Sequence, residues 1–302
     1  MYYIQLLFPD FSLVLLGYWL CRYTDLNQPI WQAAEKLVYF FLFPVLLFQS
    51  ITRTPLDVGA AAGLAMAGVL LALASIALAY VLPYLPGMRH IDRRDHAGSA
   101  QIAFRFNTFI GLALADRLLG AQGLQLIAVL IGVCVPLVNV GAVWPMARHA
   151  KLGVWGQIAR NPLIIATALG LACNFAGLGV PEFAQTSVSR IGAASIALGL
   201  MAAGAGMRMT SLASSKALSV GVLTIKHLLM PLMAWALARL LNLGVAETTI
   251  LLTYAALPTA SSCYVLAVRM GCNGPLVGGL FTVSTALGVL SLPFALGFLL
   301  PA

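Results

Sequence analysis

Acidic side chains are scarce in this chain: nine of 302 residues are Asp or Glu, against 17 Lys or Arg. Charged residues together make up 9% of the sequence, too few for a surface that meets mostly water. The nine acids are Asp10, Asp25, Glu35, Asp57, Asp92, Asp95, Asp116, Glu182 and Glu247, and none lies at the centre of a long apolar stretch. A cation exchanger embedded in a membrane is expected to keep a mid-membrane carboxylate for its proton or sodium, so this shortage argues against that class. Cysteine builds no framework either. Cys21, Cys134, Cys173, Cys263 and Cys272 are odd in number, lack a C-x-x-C spacing and read as reduced packing residues. There is no H-E-x-x-H helix, no P-loop and no G-x-G-x-x-G fingerprint, which removes the common metal, nucleotide and dinucleotide enzyme readings. No metal site or cofactor is implied.

What the chain has in quantity is hydrocarbon. Hydrophobic residues make up 61% of it and its mean hydropathy is +0.95, which describes an all-α integral membrane protein. Apolar stretches near the length needed to cross about 30 Å of hydrocarbon recur at 9–21, 33–51, 58–82, 98–118, 125–146, 162–175, 188–207, 218–240, 248–270 and 276–299. Ten transmembrane helices leave only short loops, the longest at 83–97 and 147–161, so residues 1–302 read as one transporter-sized membrane domain. The N-terminal apolar run has no basic n-region and no small-x-small cleavage site, and reads as the first span rather than a signal peptide.

The net charge of +8 is distributed by loop parity rather than gathered in a nucleic-acid-binding patch. With the N-terminus outside, ten basic residues, among them Arg89, Arg93, Arg94, Lys151 and Lys216, fall on inside loops and four on outside loops. The positive-inside rule then predicts a multi-pass protein of the cytoplasmic (inner) membrane with both termini on the non-cytoplasmic face.

The stretch "LTYAALPTASSCYVLAVRMG" (252–271) carries a proline at its middle, followed by Thr259, Ser261 and Ser262. Proline removes one amide and frees the carbonyl four residues back, here Tyr254, which hydrocarbon tolerates only where the chain lines a cavity or meets another broken helix. The hydroxyls of Thr259, Ser261 and Ser262 are candidate partners for those freed groups. Sliding the sequence by 151 residues sets "NTFIGLALADRLLGAQG" over "PTASSCYVLAVRMGCNG", with three identities in 17 positions: Thr108 on Thr259, Gly120 on Gly271 and Gly123 on Gly274. Two repeats, about 1–150 and 151–302, are expected. Five spans per repeat is an odd number, so the repeats would insert with opposite orientation, a transporter architecture with its substrate site where discontinuous helices meet. Membrane helices also carry prolines without any site, as at Pro44, Pro136, Pro231 and Pro293.

"NTFIGLALADRLLG", "ALPTASSCYVLAVRMG", "GLFTVSTALGVLSLPFALGFL", "YFFLFPVLLFQSI" and "RNPLIIATALGL" resemble the auxin efflux carrier family, which includes plant PIN carriers and bacterial carriers such as malonate transporters. The resemblance runs over nearly the whole chain. It implies ten helices in two inverted five-helix repeats, with broken helices four and nine crossing, as in bile-acid symporters and sodium/proton antiporters. On this resemblance the family's first crossover falls on Asn107 and Thr108, its following glycine on Gly111 and its second crossover proline on Pro258. Many relatives have a proline where this chain has Ala113, so the first break is expected to be held by Asn107 and Gly111.

Arg105 stands two residues before Asn107, and a guanidinium facing lipid would be penalised by at least a few kcal/mol. Asp116, the nearest acid on its helix, is 11 residues or roughly 16 Å away. Arg105 is therefore expected either to bind a carboxylate with its planar fork or to be tied to backbone carbonyls at the break. Lys226 faces a pocket or snorkels to the surface, and His227 serves a proton relay or an ordinary buried hydrogen bond. Gln49 and Asn139 line a pocket or bridge helices.

The reading that gathers these residues is a secondary carrier of a small organic anion, working by alternating access. Its substrate-binding residues are Arg105, Asn107, Thr108, Pro258, Thr259, Ser261 and Ser262. Gly111 and Pro258 shape the breaks, and Gln49, Asn139, Lys226 and His227 are further candidates for the pocket or for ion coupling. A gated anion channel shares the cationic pocket. An intramembrane protease using Ser261 or Ser262 with His227 is the enzymatic rival, and it lacks an acid or second histidine in the membrane. Its partners are the anion and membrane lipid, with no nucleic acid; sodium against proton coupling, and monomer against homodimer, are not legible in the sequence.

Overall fold

The computed structural model describes residues 2–53, 58–86, 88, 91–146, 162–208, 215–260 and 262–300. Every regular element among them is helical. Hydrocarbon offers backbone amides and carbonyls no partner, and a helix pairs them within one segment.

In chain order the helices are α1 (Tyr2–Tyr23), α2 (Gln28–Leu37), α3 (Phe43–Arg53), α4 (Val58–Val81), α5 (Arg93–Ser99), α6 (Gln101–Phe104) and α7 (Thr108–Met146). They continue as α8 (Pro162–Phe175), α9 (Glu182–Ala205), α10 (Lys216–Thr224), α11 (Met230–Leu240), α12 (Val245–Ala256), α13 (Ser262–Arg269) and α14 (Gly274–Phe294). Five stretches among the described residues are long and apolar enough to cross a membrane: Ala61–Tyr84, Arg93–Val143, Glu182–Ala205, Lys216–Leu240 and Gly274–Leu299. The apolar sequence at 33–51 is α2 and α3 joined through a wide π turn at Val38–Leu42, and that at 218–240 is α10 and α11 joined through another at Ile225–Leu229. Each π turn ends two residues before a proline, Pro44 and Pro231, and its slack accommodates the missing amide without ending the helix. Two other stretches do end. Helix stops at Phe104 and resumes at Thr108, and stops again at Ala256 and resumes at Ser262.

Backbone packing divides the chain into two compact units. The first holds Met1–Ala65, Thr108–Gly132 and Trp155–Gly206. Within it α1 lies along α9, and Gly17 and Gly204 permit the approach: a Cβ at Gly17 would overlap the Met201 carbonyl, and one at Gly204 the Val14 carbonyl. Phe43 is fully buried, with its ring centroid 5.1 Å from that of Phe109 and its edge against Gly199.

The second unit holds Met66–Asn107, Val133–Val154 and Met207–Ala302. Its core is built on α14, against which α5, α10, α12 and α13 pack. The Tyr80 hydroxyl donates to the Gly141 carbonyl at 2.8 Å, and His96 Nε2 meets the Ala79 carbonyl at 2.8 Å, tying α4 to α7 and α5. Asp92 caps α5 by accepting the amides of Arg94 and Asp95 at 2.8 and 3.0 Å, which holds its carboxyl below the ordinary carboxylate range. Asp95 accepts from Ser215 and Asn273, and Arg94 Nε donates to the Gly271 carbonyl, so the start of α5 is laced to the turn that precedes α14. Large apolar side chains such as Phe8, Phe183 and Phe298 are 70–88% exposed, as a lipid-facing surface requires.

Candidate functional site

Both helix interruptions, 105–107 and 257–260, lie in the second unit. Arg105 caps α6 in extended conformation, with φ −78° and ψ 153°, and Leu257 leaves α12 in the same way, with ψ 141°. The two breaks meet through the backbone: the Asn107 amide donates to the Pro258 carbonyl at 2.8 Å. Other freed groups are held by α14. The Thr259 amide donates to Ser284 Oγ at 3.0 Å, and Ser291 Oγ donates to the Ala256 carbonyl at 3.0 Å.

Sequence reasoning gave that role to Thr259, Ser261 and Ser262; the structure gives the hydroxyls of Thr259 and Ser262 other partners. Thr259 Oγ1 lies 3.4 Å from Cys263 Sγ, Ser262 Oγ accepts from Arg105, and Ser261 falls outside the described residues, as does the 147–161 connection. The hydroxyls that satisfy the break stand on α14, where Ser284, Gly288 and Ser291 share one face at helical spacing. Gly288 completes that face, since a Cβ there would sit 3.3 Å from the Pro258 ring. A small or hydroxylated residue every three or four positions in an otherwise apolar helix was the signal available for these three.

Arg105 is half-buried, and its partners among the described residues are neutral. Nη1 donates to Gln101 Oε1 at 3.0 Å and Nη2 to Ser262 Oγ at 3.1 Å. Gln101, which sequence reasoning missed, is fully buried and pinned by its Nε2 to the carbonyls of Gly98 and Cys263 at 3.0 and 3.1 Å. The alternative in which Arg105 is tied to carbonyls is thus replaced: two side chains hold it, and its guanidinium stands at the first turn of α13. A cation is the wrong sign for that helix end, where the aligned peptide dipoles already concentrate positive partial charge.

Lys226 does not snorkel. It is fully buried, with Nζ 3.7 Å from Met230 Sδ, a weak acceptor. His227 Nε2 lies 2.8 Å from Ser284 Oγ and Nδ1 3.0 Å from Ser291 Oγ. Both ring nitrogens are therefore engaged by α14, and the Ser262–His227 dyad of the protease reading is not formed, because Ser262 is bound to Arg105.

The other candidates fall elsewhere. Gln49 Nε2 donates to Ser189 Oγ at 2.9 Å, bridging α3 and α9 inside the first unit, beside a cavity of about 280 Å³ that Asp116 also lines. Thr108 opens α7, and Gly111 lies within its first turns, after the break rather than in it. Asn139 is half-buried on α7.

Helical elements throughout the described residues, several stretches long and apolar enough to span a membrane, two interrupted helices joined at their breaks and an arginine held there define the class of polytopic membrane transport proteins. The family described as "Membrane transport protein" matches residues 142–296, just over half of the chain, and the chain belongs to that family, the auxin efflux carriers. Over 318 aligned positions, covering 100% of this chain and 96% of the relative, it is 24% identical to the uncharacterized transporter YfdV of Escherichia coli strain K12. The same identity and coverage hold for YfdV of Escherichia coli O157:H7 and of Shigella flexneri.

Proposed function

We propose that the protein is a secondary active transporter that moves a small organic anion, a carboxylate, across the cytoplasmic membrane by alternating access. The observation that carries this reading is Arg105 at the amino end of α13, with neutral partners Gln101 and Ser262. Two positive features, a guanidinium and a helix N-terminus, converge there, and a carboxylate is the ligand that satisfies both. Arg105 neutralises the anion, Asn107, Thr259 and Ser262 orient it, and Pro258 keeps the amides of the break free of a continuous helix. In the same reading Ser261 and Thr108, the neighbours of Ser262 and Asn107 in the chain, complete the set. Lys226, more deeply buried, is in this reading a further candidate for the pocket or for ion coupling.

The architecture in this reading is one domain of ten membrane helices in two inverted five-helix repeats, 1–150 and 151–302, both termini being outside. Support for the repeat comes from matched backbone features. The breaks at 105–107 and 257–260 fall near the 151-residue offset, and so do Gly120 and Gly271, which adopt positive φ of 56° and 70°. Pairing like this is expected of duplicated elements and not of two unrelated turns.

The test is uptake in proteoliposomes. Arg105→Ala and Arg105→Lys are expected to lose transport while the purified protein keeps its fold, because an ammonium does not replace a bidentate fork. Uptake at wild-type apparent affinity in the Ala variant would remove Arg105 from the site. Saturable uptake accelerated by anion on the opposite side marks a carrier; linear flux marks a channel.

A further inference from the structure

Ser284 and Ser291 each touch His227 on one side and the second break on the other, and the backbone ends of these contacts, with a neutral ring, give each hydrogen bond between them its direction. The Thr259 amide only donates and the Ala256 carbonyl only accepts. Ser291 uses its hydroxyl proton on Ala256, so it accepts from His227, which puts the ring proton on Nδ1. Nε2 is then the acceptor for the Ser284 hydroxyl, whose lone pair takes the Thr259 amide. The chain of donors runs without conflict from Thr259 through Ser284, His227 and Ser291 to Ala256. A doubly protonated ring changes it: the Ser284 hydroxyl would lose His227 as its acceptor, and its proton would have to turn to a carbonyl of α14.

The clamp also has a steric member. Gly288 lies between the two serines on the same face of α14 and carries the Pro258 ring. Residues 256, 258 and 259 are thus held against a single helix face, and His227 connects that face to the segment between α10 and α11. Removing the ring would leave two buried hydroxyls each short of one partner, while the backbone groups of the break would keep only the serines. The serines would then be free to turn toward other acceptors within α14, as Thr285 does toward the Phe281 carbonyl.

We infer that neutral His227, with its proton on Nδ1, is a positioning residue that holds Ala256 and Thr259 against α14 and so sets where the first turn of α13, with Ser262, stands relative to Arg105. Its consequence for transport rests on the anion-carrier reading; its consequence for the break does not. His227 touches no substrate in this account. It acts through the backbone it fixes.

The experiment compares the wild type, His227→Gln and His227→Leu by amide hydrogen exchange over residues 256–263 and by uptake of a panel of mono- and dicarboxylates. In His227→Leu, exchange in that segment is expected to rise roughly tenfold, the loss of about one hydrogen bond, with α9 in the other unit unaffected. Apparent KM for the transported anion is expected to rise by about the same factor, with a smaller change in maximal rate. His227→Gln keeps one donor and one acceptor in a planar amide and is expected to recover most of both losses. Wild-type exchange and KM in the Leu variant would overturn the inference, and so would equal loss in Gln and Leu, which would mark a packing role. If the Leu variant does not fold, Ser284→Ala takes its place, with raised exchange again expected and unchanged exchange overturning the clamp. If the wild type takes up no anion, the carrier reading fails, and exchange across 256–263 decides the clamp by itself.

Discussion

Two serines in this protein are equally buried and should differ sharply in what they contribute. Ser75 and Ser284 are both 0% exposed, and each sits inside a long apolar helix. Ser75 Oγ donates at 2.9 Å to the Ala72 carbonyl of its own helix, an oxygen that the helical ladder already serves. Ser75→Ala removes a redundant bond and is expected to change stability by no more than about 0.5 kcal/mol. Ser284 has two partners outside its helix, the Thr259 amide at 3.0 Å and His227 Nε2 at 2.8 Å. Ser284→Ala leaves a buried amide without its acceptor, which costs about 1–3 kcal/mol, and adds the loss of the histidine bond at about 1 kcal/mol. The expected difference between the two variants is therefore about 1.5–4 kcal/mol. Equilibrium unfolding in mixed micelles measures it directly. Equal destabilisation by the two substitutions, or a larger loss for Ser75, would refute the view that hydroxyls on α14 hold the broken helix.

Further expectations concern the rest of the fold. Gly120 combines φ 56° with ψ −137°, a region open to glycine alone; nothing crowds its Cβ position, so Gly120→Ala should cost about 1–3 kcal/mol through backbone strain, read as a lower unfolding midpoint. Gly204→Leu would drive a side chain into the Val14 carbonyl and part α1 from α9; loss of folded protein on size exclusion is expected, against near-normal behaviour for a substitution at exposed Leu15. The Asp92 carboxyl is held below its ordinary range by the amides it caps, so its contribution is present above the unfolded-state pKa and is lost as pH falls through the folded one. Asp92→Asn should flatten the acid side of the unfolding midpoint against pH and leave the neutral side little changed, since asparagine is also a good cap. An acid side as steep as the wild type's would assign that sensitivity to other carboxylates.

Much of the path of the chain could be read before any coordinates, and the reasons are local. Pro258 marks its break by chemistry, because no amide exists there to continue the helix, and the break indeed starts one residue before it. Asn107 marked the other, although the extended residues begin at Arg105 and Gly111 turned out to be helical. The prolines at 44 and 231 were rightly kept apart from the breaks, yet the π turns that absorb them leave no trace in composition. The hidden part of the site is the set of partners. Gln101, Ser284 and Ser291 look in sequence like Thr253 and Thr285, polar residues in apolar helices whose hydroxyls return to carbonyls of their own turn. Which of them reaches across to another segment depends on packing between elements far apart in the chain, and Arg105 to Ser262 spans 157 residues. Lys226 was ambiguous for the same reason, since depth along a helix does not say which neighbour covers it.

The central claim is that the positive pocket at Arg105 exists to hold an anion, and the most direct test is a thermal-shift titration of the purified protein with mono- and dicarboxylates, amino acids and inorganic cations, with and without sodium. A ligand at 100 times its dissociation constant stabilises the folded state by about 2.7 kcal/mol, enough to move the midpoint by several degrees. The account predicts that one class of carboxylate raises the midpoint of the wild type and leaves Arg105→Ala unmoved. A shift produced by cations or amino acids and not by carboxylates, or a carboxylate shift that survives intact in Arg105→Ala, would contradict it.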